Sequence, residues 1–228
     1  MTVEAAPQVQ VTVHYAQSLD GRIATRTGHS RWISGDDTLR YAHELRAGHK
    51  AVMVGAGTVC HDDPRLTVRL AKGPNPLRVV VDSTLRLPLD AQLLTDGAAP
   101  TLIATTDRAA RSRIDAIARP GVSVVVVGQD SSGHVSLPRL LSLLAARGIT
   151  SVLIEGGAAL ITSALRDRIV DRLTVCIAPK IIGSGIEAVG DLAISRMDQA
   201  LDFAESSFVC TGEDVVFDGR LKRPVAAR

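Results

Sequence analysis

The sequence predicts an α/β protein with a mostly parallel central sheet, helices on both of its faces and an antiparallel hairpin at its C-terminal end. Three observations predict it. The runs AVMVG (51–55), RVVVD (78–82), TLIAT (101–105) and VSVVVVG (122–128) are apolar without alternation, as strands buried on both faces are. Helix-patterned segments fall between strand-like ones through most of the chain. After residue 170 the helix signals stop, and RLTVCIAPKIIG (172–183), ALDFAESSFVC (200–210) and EDVVFDGRL (213–221) follow one another as strands, which calls for hairpins.

The elements can be justified in order. VQVTVHYA (9–16) alternates and reads as a strand. Ser34 and Asp37 stand in capping-box spacing ahead of a helix that closes near Gly48. The segment between Asp107 and Pro120 is helical in pattern. Ser136 then opens a helix through Arg147, with Gly148 as its stop. TSVLIE (150–155) is a strand and AALITSALR (158–166) a helix. The loop KGPNP (72–76) has strand patterns on both sides, so it does not divide the chain. Residues 1–228 are therefore expected to form one domain, with MTVEAAPQ (1–8), too short and polar for a signal peptide, as a disordered tail.

Composition narrows the function. At 228 residues the chain can bury a sizeable core, and 46% hydrophobic with 22% charged residues is the profile of a soluble protein. A net charge of +2 and 3% aromatic content argue against a nucleic-acid partner, which needs clustered cations or stacking platforms. No apolar run reaches membrane-spanning length. Cys60, Cys176 and Cys210 are odd in number, far apart and without metal-ligand spacing. The last two lie in apolar strand-like segments and read as buried thiols. A cytoplasmic location and no metal are the expectations.

Four clusters bear on chemistry. SLDG (18–21) is a turn signal. HSRWIS (29–34) holds the only tryptophan in a polar loop, where the usual reading of a lone Trp as a core anchor is weakened. GTVCHDDPRLTVR (57–69) carries two adjacent carboxylates, but neighbouring side chains rarely converge on one ion and His61 stands alone. HDDP also reads as a helix ending. GAGT (55–58) is half a dinucleotide fingerprint. Arg46 and Arg69 are either surface charges or a pair converging on a phosphate. In IEGG, Glu155 ends a buried strand before two glycines. It is either an exposed residue before a tight turn or a ligand-binding carboxylate at the strand end, where open α/β sheets bind their ligands.

Together, YAQSLDGRIA (15–24), GHSRWIS (28–34), LRAGHKAVMVGAGTVCHDDPRLTVR (45–69), VVVDS (79–83), VLIEGGAALITSAL (152–165) and VDRLTVCIAPKIIG (170–183) resemble the reductase domain of the bacterial riboflavin-biosynthesis deaminase/reductase. The likeness covers nearly the whole chain. It implies a dihydrofolate-reductase-like fold and NADPH-dependent reduction of a phosphoribosylaminopyrimidine. The H-x-E and P-C-x-x-C zinc signature of the deaminase half is missing from this sequence. By resemblance, Ala16, Trp32, Thr58, Asp62, Ser83 and the run Gly157, Ala158, Ala159, Leu160, Ile161, Thr162 and Ser163 match positions that contact the cofactor. Ser30, Arg46, Leu66, Arg69 and Glu155 match positions that contact substrate. Asp62 and Glu155 are the catalytic candidates, the first as an electrostatic or proton-handling group. Ser83, Thr84 and Arg86, beyond the VVVD strand, are candidates for a cofactor 2′-phosphate. Many relatives carry lysine where this chain has His14, in the pattern K-x-A-x-S-L-D-G. The resemblance also implies a homodimer. A pterin, dihydrofolate or natural-product pyrimidine reductase on the same fold, and a non-catalytic NADP-binding protein, are the alternatives.

Overall fold

The computed structural model describes residues 9–222, and the tail expected over residues 1–8 lies outside them. In chain order the strands are β1 (Gln10–Ser18), β2 (Arg22–Thr25), β3 (Ala51–Gly55), β4 (Leu77–Val81), β5 (Thr101–Thr105), β6 (Val122–Val126), β7 (Ser151–Glu155), β8 (Arg172–Ala178), β9 (Gly185–Glu187), β10 (Phe203–Thr211) and β11 (Asp214–Leu221). The helices are α1 (Asp36–Gly48), α2 (Ala56–Asp62), α3 (Gln92–Thr95), α4 (Arg111–Ile117), α5 (Leu137–Ala146) and α6 (Ala158–Arg166).

A nine-stranded sheet runs in the order β10-β11-β8-β1-β7-β3-β4-β5-β6. From β8 to β6 every neighbouring pair is parallel, whereas β11 runs antiparallel to β8 and β10 to β11. The late strand β7 inserts between β1 and β3, so its carboxyl end lies in the middle of the sheet.

The unbroken apolar runs are explained by helices on both faces. Along β3, Met53 packs into a core with Val79, Ile154, Leu140 and Leu144 of α5 and Ile161 of α6. Its neighbours Val52 and Val54 point the other way, into a core with Ile103, Val59 of α2, Leu93 of α3 and Ile117 of α4. The period-two alternation of a strand thus feeds two separate cores from one sequence run.

Several expectations need correction. The strand read over 172–183 ends at Ala178. The chain then turns, and the Asp20 carboxylate accepts the Ile182 and Gly183 N–H groups at 3.1 and 2.7 Å, so SLDG is a turn that also anchors this loop. The helix expected between Asp107 and Pro120 is only Arg111–Ile117. Cys210 is exposed, because β10 is the sheet edge, while Cys176 is buried. The capping box at Ser34 is not formed, since the residue preceding α1 is Gly35 and no local side chain caps it. Instead Asp214, at the start of β11, accepts the Gly35 N–H at 2.8 Å and the Thr38 hydroxyl at 2.5 Å. A carboxylate from the other end of the chain does the work of a cap. Among the described residues no helix is long and apolar enough to cross a membrane.

Asp214 is 3% exposed and satisfies two donors. Asp214→Ala is expected to cost roughly 3 kcal/mol, the scale for orphaning donors paired to a buried charged group. A downward shift of the urea unfolding midpoint with unchanged slope checks it.

Candidate active site

The carboxyl ends of the parallel strands open into a cavity of about 1110 Å³. Ala16 of β1, Gly55 of β3, Ser83 beyond β4 and Glu155 of β7 all line it. This is where the order of an open sheet leaves a crevice. Gly156 and Gly157 follow Glu155 with φ of 81° and 85°, values that disfavour any side chain. A Cβ at Gly157 would also stand 3.3 Å from the Thr58 hydroxyl oxygen. No side chain caps α6, whose first residues Ala158, Ala159 and Leu160 line the cavity. Its orphan N–H groups and dipole favour an anion such as a pyrophosphate.

Next to this helix start, Arg46 in the last turn of α1 reaches Glu155. Its Nε and Nη2 donate to the two carboxylate oxygens at 2.7 and 2.6 Å, a bidentate pair with side chains 13% and 11% exposed. The two residues, each matched by resemblance to a substrate-contacting position, are thus each other's partner. Arg46 Nη1 also donates to the Thr67 carbonyl at 3.2 Å. Arg69 joins the same group, its Nη1 donating to the Thr67 carbonyl at 3.4 Å and hydroxyl at 2.9 Å. Its main-chain N–H donates to Nδ1 of buried His43 at 2.9 Å. His43 therefore holds Nδ1 unprotonated. Its pKa is pushed down to about 4, first by burial, then by Arg46 and Arg69, with Glu155 opposing.

Asp62 closes α2, and Ser30 donates to it at 3.3 Å. Trp32 is 75% exposed at the cavity, in the left-handed region with φ 66°. Lys180 holds this loop by donating to the Trp32 and Ile33 carbonyls. Leu66, itself left-handed at φ 53°, lines the wall although 2% exposed. Of the positions expected to touch a ligand, Ala16, Ser30, Trp32, Thr58, Asp62 and Ser83 line this one cavity, as do Leu66, Arg69 and Ser163. Ile161 and Thr162 do not. Helical periodicity turns Ile161 into the core, and Thr162 spends its hydroxyl on the Ala158 carbonyl and the Gly190 N–H.

Sequence reasoning missed Arg108, Asp130 and His134, which join Thr84 and Arg86 at the far end of the cavity. Arg108 and Asp130 follow β5 and β6, and the strand-end rule that singled out Glu155 would have found them. His43 and Thr67 gave no local signal, because their role is visible only through Arg69. His14 is buried beside Glu155 in strand register, with no hydrogen-bond partner for Nδ1, and burial pushes its pKa down. Among the described residues no group of three His, Cys, Asp or Glu side chains is placed to hold a metal.

The sequence profile of the RibD C-terminal domain matches residues 9–217. The chain belongs to this family. Within reach of it is the protein named 2,5-diamino-6-ribosylamino-4(3H)-pyrimidinone 5′-phosphate reductase from Methanothermobacter thermautotrophicus, 42% identical over 218 residues, covering 93% of this chain and 98% of that one. Riboflavin biosynthesis protein RibD of Aquifex aeolicus is 36% identical over 207 residues, 90% of this chain but 56% of the relative, so the chain spans about half of that protein's length. Among solved structures, Acinetobacter baumannii RibD superposes with TM-score 0.80 at 26% identity, over 96% of this chain and 59% of that one. Saccharomyces cerevisiae Rib7 superposes with TM-score 0.74 at 25% identity, over 97% and 93%. Dihydrofolate reductase from Enterococcus faecalis shares the fold at TM-score 0.52 and 13% identity. The RibD C-terminal fold of this chain is dihydrofolate-reductase-like.

The His43 pKa near 4 lies below the ordinary 6.5, so between those values the unfolded chain binds more protons than the folded one. Stability is expected to fall as pH drops from about 6.5 towards 4. His43→Asn, which offers an acceptor that does not titrate, should flatten part of that fall. Urea midpoints measured across this pH range, with an NMR titration of the His43 ring, check it.

Proposed function

We propose that this chain is a reductase that uses NADPH to convert 5-amino-6-(5-phosphoribosylamino)uracil, or the related diaminopyrimidinone, to its ribitylamino product in riboflavin biosynthesis. One observation carries the reading: a single cavity holds both an uncapped helix start after two glycines and a paired-arginine corner. The names of the relatives in this family point to the same substrate class.

The residues present fit a dinucleotide. The Gly156–Gly157 bend leaves room that a Cβ at Gly157 would take up against Thr58, and the start of α6 offers N–H donors to a pyrophosphate. Ser83, Thr84, Arg86 and Arg108 offer hydroxyls and cations for a 2′-phosphate, which favours NADPH over NADH. When bound, the nicotinamide supplies hydride to the first sugar carbon.

The protein's part is to bind, orient and exclude water. Arg46 and Arg69 hold the substrate phosphate, and Glu155, kept in place by Arg46, accepts from the pyrimidine amino and ring N–H groups through lone pairs the ion pair leaves free. For reduction the sugar ring must open: the bond from its first carbon to the ring oxygen breaks, the exocyclic nitrogen gives up its proton, and the ring oxygen takes one. After hydride addition that nitrogen takes a proton back. Asp62, linked to Ser30, is the carboxylate assigned to proton handling. A pterin-type substrate without a phosphate would leave Arg69 with no anion to bind.

The same reading makes the protein a cytoplasmic homodimer. The edge strand β10 leaves one row of main-chain groups unpaired and exposes Phe208 and Val209, 67% and 57% exposed, a surface a second copy can cover. The three free thiols suit a reducing compartment.

Oxidation of NADPH is expected only with the phosphorylated ribosylaminopyrimidine, and Arg69→Ala should raise its KM roughly 10- to 100-fold, the scale of a lost charged hydrogen bond. Glu155→Ala should raise the same KM far more than it weakens NADPH binding. Steady-state assays with and without the ribose phosphate, beside calorimetry with NADPH, decide both points. NADPH is expected to quench the fluorescence of Trp32, and tight binding without quenching would remove that residue from the cofactor site.

A further inference from the structure

Arg46 and Arg69 come from different elements, one from the end of α1 and the other from the extended segment after α2. Two guanidinium groups repel, and burial together with the charges of Arg46 and Arg65 disfavours the charged form of Arg69. Among the described residues no carboxylate hydrogen-bonds to Arg69, although Glu155 lies near enough to favour its charge. The charge of Glu155 favours both cations, and uncharged groups hold the two side chains in place beside it. The Thr67 carbonyl accepts from both, and the Thr67 hydroxyl takes the shortest of Arg69's side-chain bonds at 2.9 Å. The Arg69 main chain is fixed in turn by His43 Nδ1. Thr67 and His43 are 5% and 1% exposed, and neither lines the cavity that both arginines line. The left-handed Leu66 immediately before Thr67 is a sparsely populated conformation held by the packing around it.

We propose that Thr67 and His43 are positioning residues that build a phosphate-binding corner, converging Arg46 and Arg69 on one anion. The inference rests on the proposed phosphorylated substrate. Each arginine keeps N–H groups not spent on protein partners: Arg46 uses three of its donors on Glu155 and Thr67, and the side chain of Arg69 uses only Nη1. These free donors are what a phosphate would take, and a shared acceptor keeps the two groups close together. With His43 neutral, the corner holds two cations and the one carboxylate of Glu155, so it remains cationic.

The test uses inorganic phosphate and substrate with the full chain. Thr67→Val removes the hydroxyl and keeps the shape, and Thr67→Ser restores it. His43→Leu removes the acceptor, and His43→Asn restores one. The dissociation constant of inorganic phosphate, read by ³¹P NMR or calorimetry, should rise about tenfold in Thr67→Val and His43→Leu, as should KM for the phosphorylated substrate. The restoring variants should return near wild type, while kcat and the NADPH dissociation constant stay within about twofold throughout, since these residues touch neither reacting atoms nor cofactor. The dissociation constant of the dephosphorylated ribosylaminopyrimidine, read by calorimetry, should not move. Unchanged phosphate affinity in Thr67→Val and His43→Leu would overturn the inference, as would equal losses with and without the phosphate. If wild type binds phosphate and loses it in these variants but never oxidises NADPH with the substrate, the proposed function fails and the corner stands. Should Thr67→Val or His43→Leu not fold, Thr67→Ala is read in its place: a rise in the phosphate dissociation constant supports the inference and an unchanged one overturns it.

Discussion

The bidentate pair between Arg46 and Glu155 is the contact on which the cavity is built. It joins the last turn of α1 to the carboxyl end of β7, and so closes the gap between a helix and the middle of the sheet. Both side chains are largely out of water. Two charges in that setting cost desolvation energy that mutual attraction repays only when the geometry is good and the remaining hydrogen-bonding capacity is used. Here both carboxylate oxygens and three guanidinium donors are engaged. The pair is worth more as geometry than as stability, because it sets where one anion and one cation stand before any ligand arrives.

Not every buried arginine in this protein has that meaning. Arg78 of β4 is 1% exposed, pairs with Asp96 at 2.9 Å and donates to the Arg65 and Ala99 carbonyls and the Thr101 hydroxyl. Its charge is matched and several of its donors are consumed inside the fold. It is the second residue of its strand, at the end remote from the cavity. Arg69 differs on each count: it lies at the cavity, no carboxylate among the described residues is hydrogen-bonded to it, and most of its side-chain donors have no protein partner. The contrast separates an arginine that ties loops together from one held ready for a ligand.

What could be read in the sequence follows from how local each signal is. The parallel strands were legible because continuous apolar runs have few other uses, and α6 was read to its ends because a two-glycine bend fixes its start. β2 and β9 were not read, being four and three residues of weak pattern that pair across most of the chain. The start of α1 was misread because Ser34 and Asp37 mimic a capping box while the true acceptor, Asp214, arrives from β11. At the site, Glu155 stood out by its place at a strand end. Thr67 and His43 did not, since an uncharged residue that organises two arginines leaves no mark until the fold brings the arginines together.

His14 bears on the charge of the same corner. It stands opposite Glu155 in the β1–β7 register and lines the cavity, and burial keeps its ring neutral. A lysine there would bring a second cation to Glu155 and compete with Arg46 for the carboxylate. With a neutral ring in its place, Arg46 is the cation paired to Glu155, by two bonds. The corner then depends on uncharged acceptors, the Thr67 carbonyl and hydroxyl and His43 Nδ1, to keep Arg69 close to Arg46. The charge of this pocket is thus settled by which residues stay neutral as much as by which are ionised: two histidines held unprotonated by burial leave two arginines and one carboxylate to meet a phosphate.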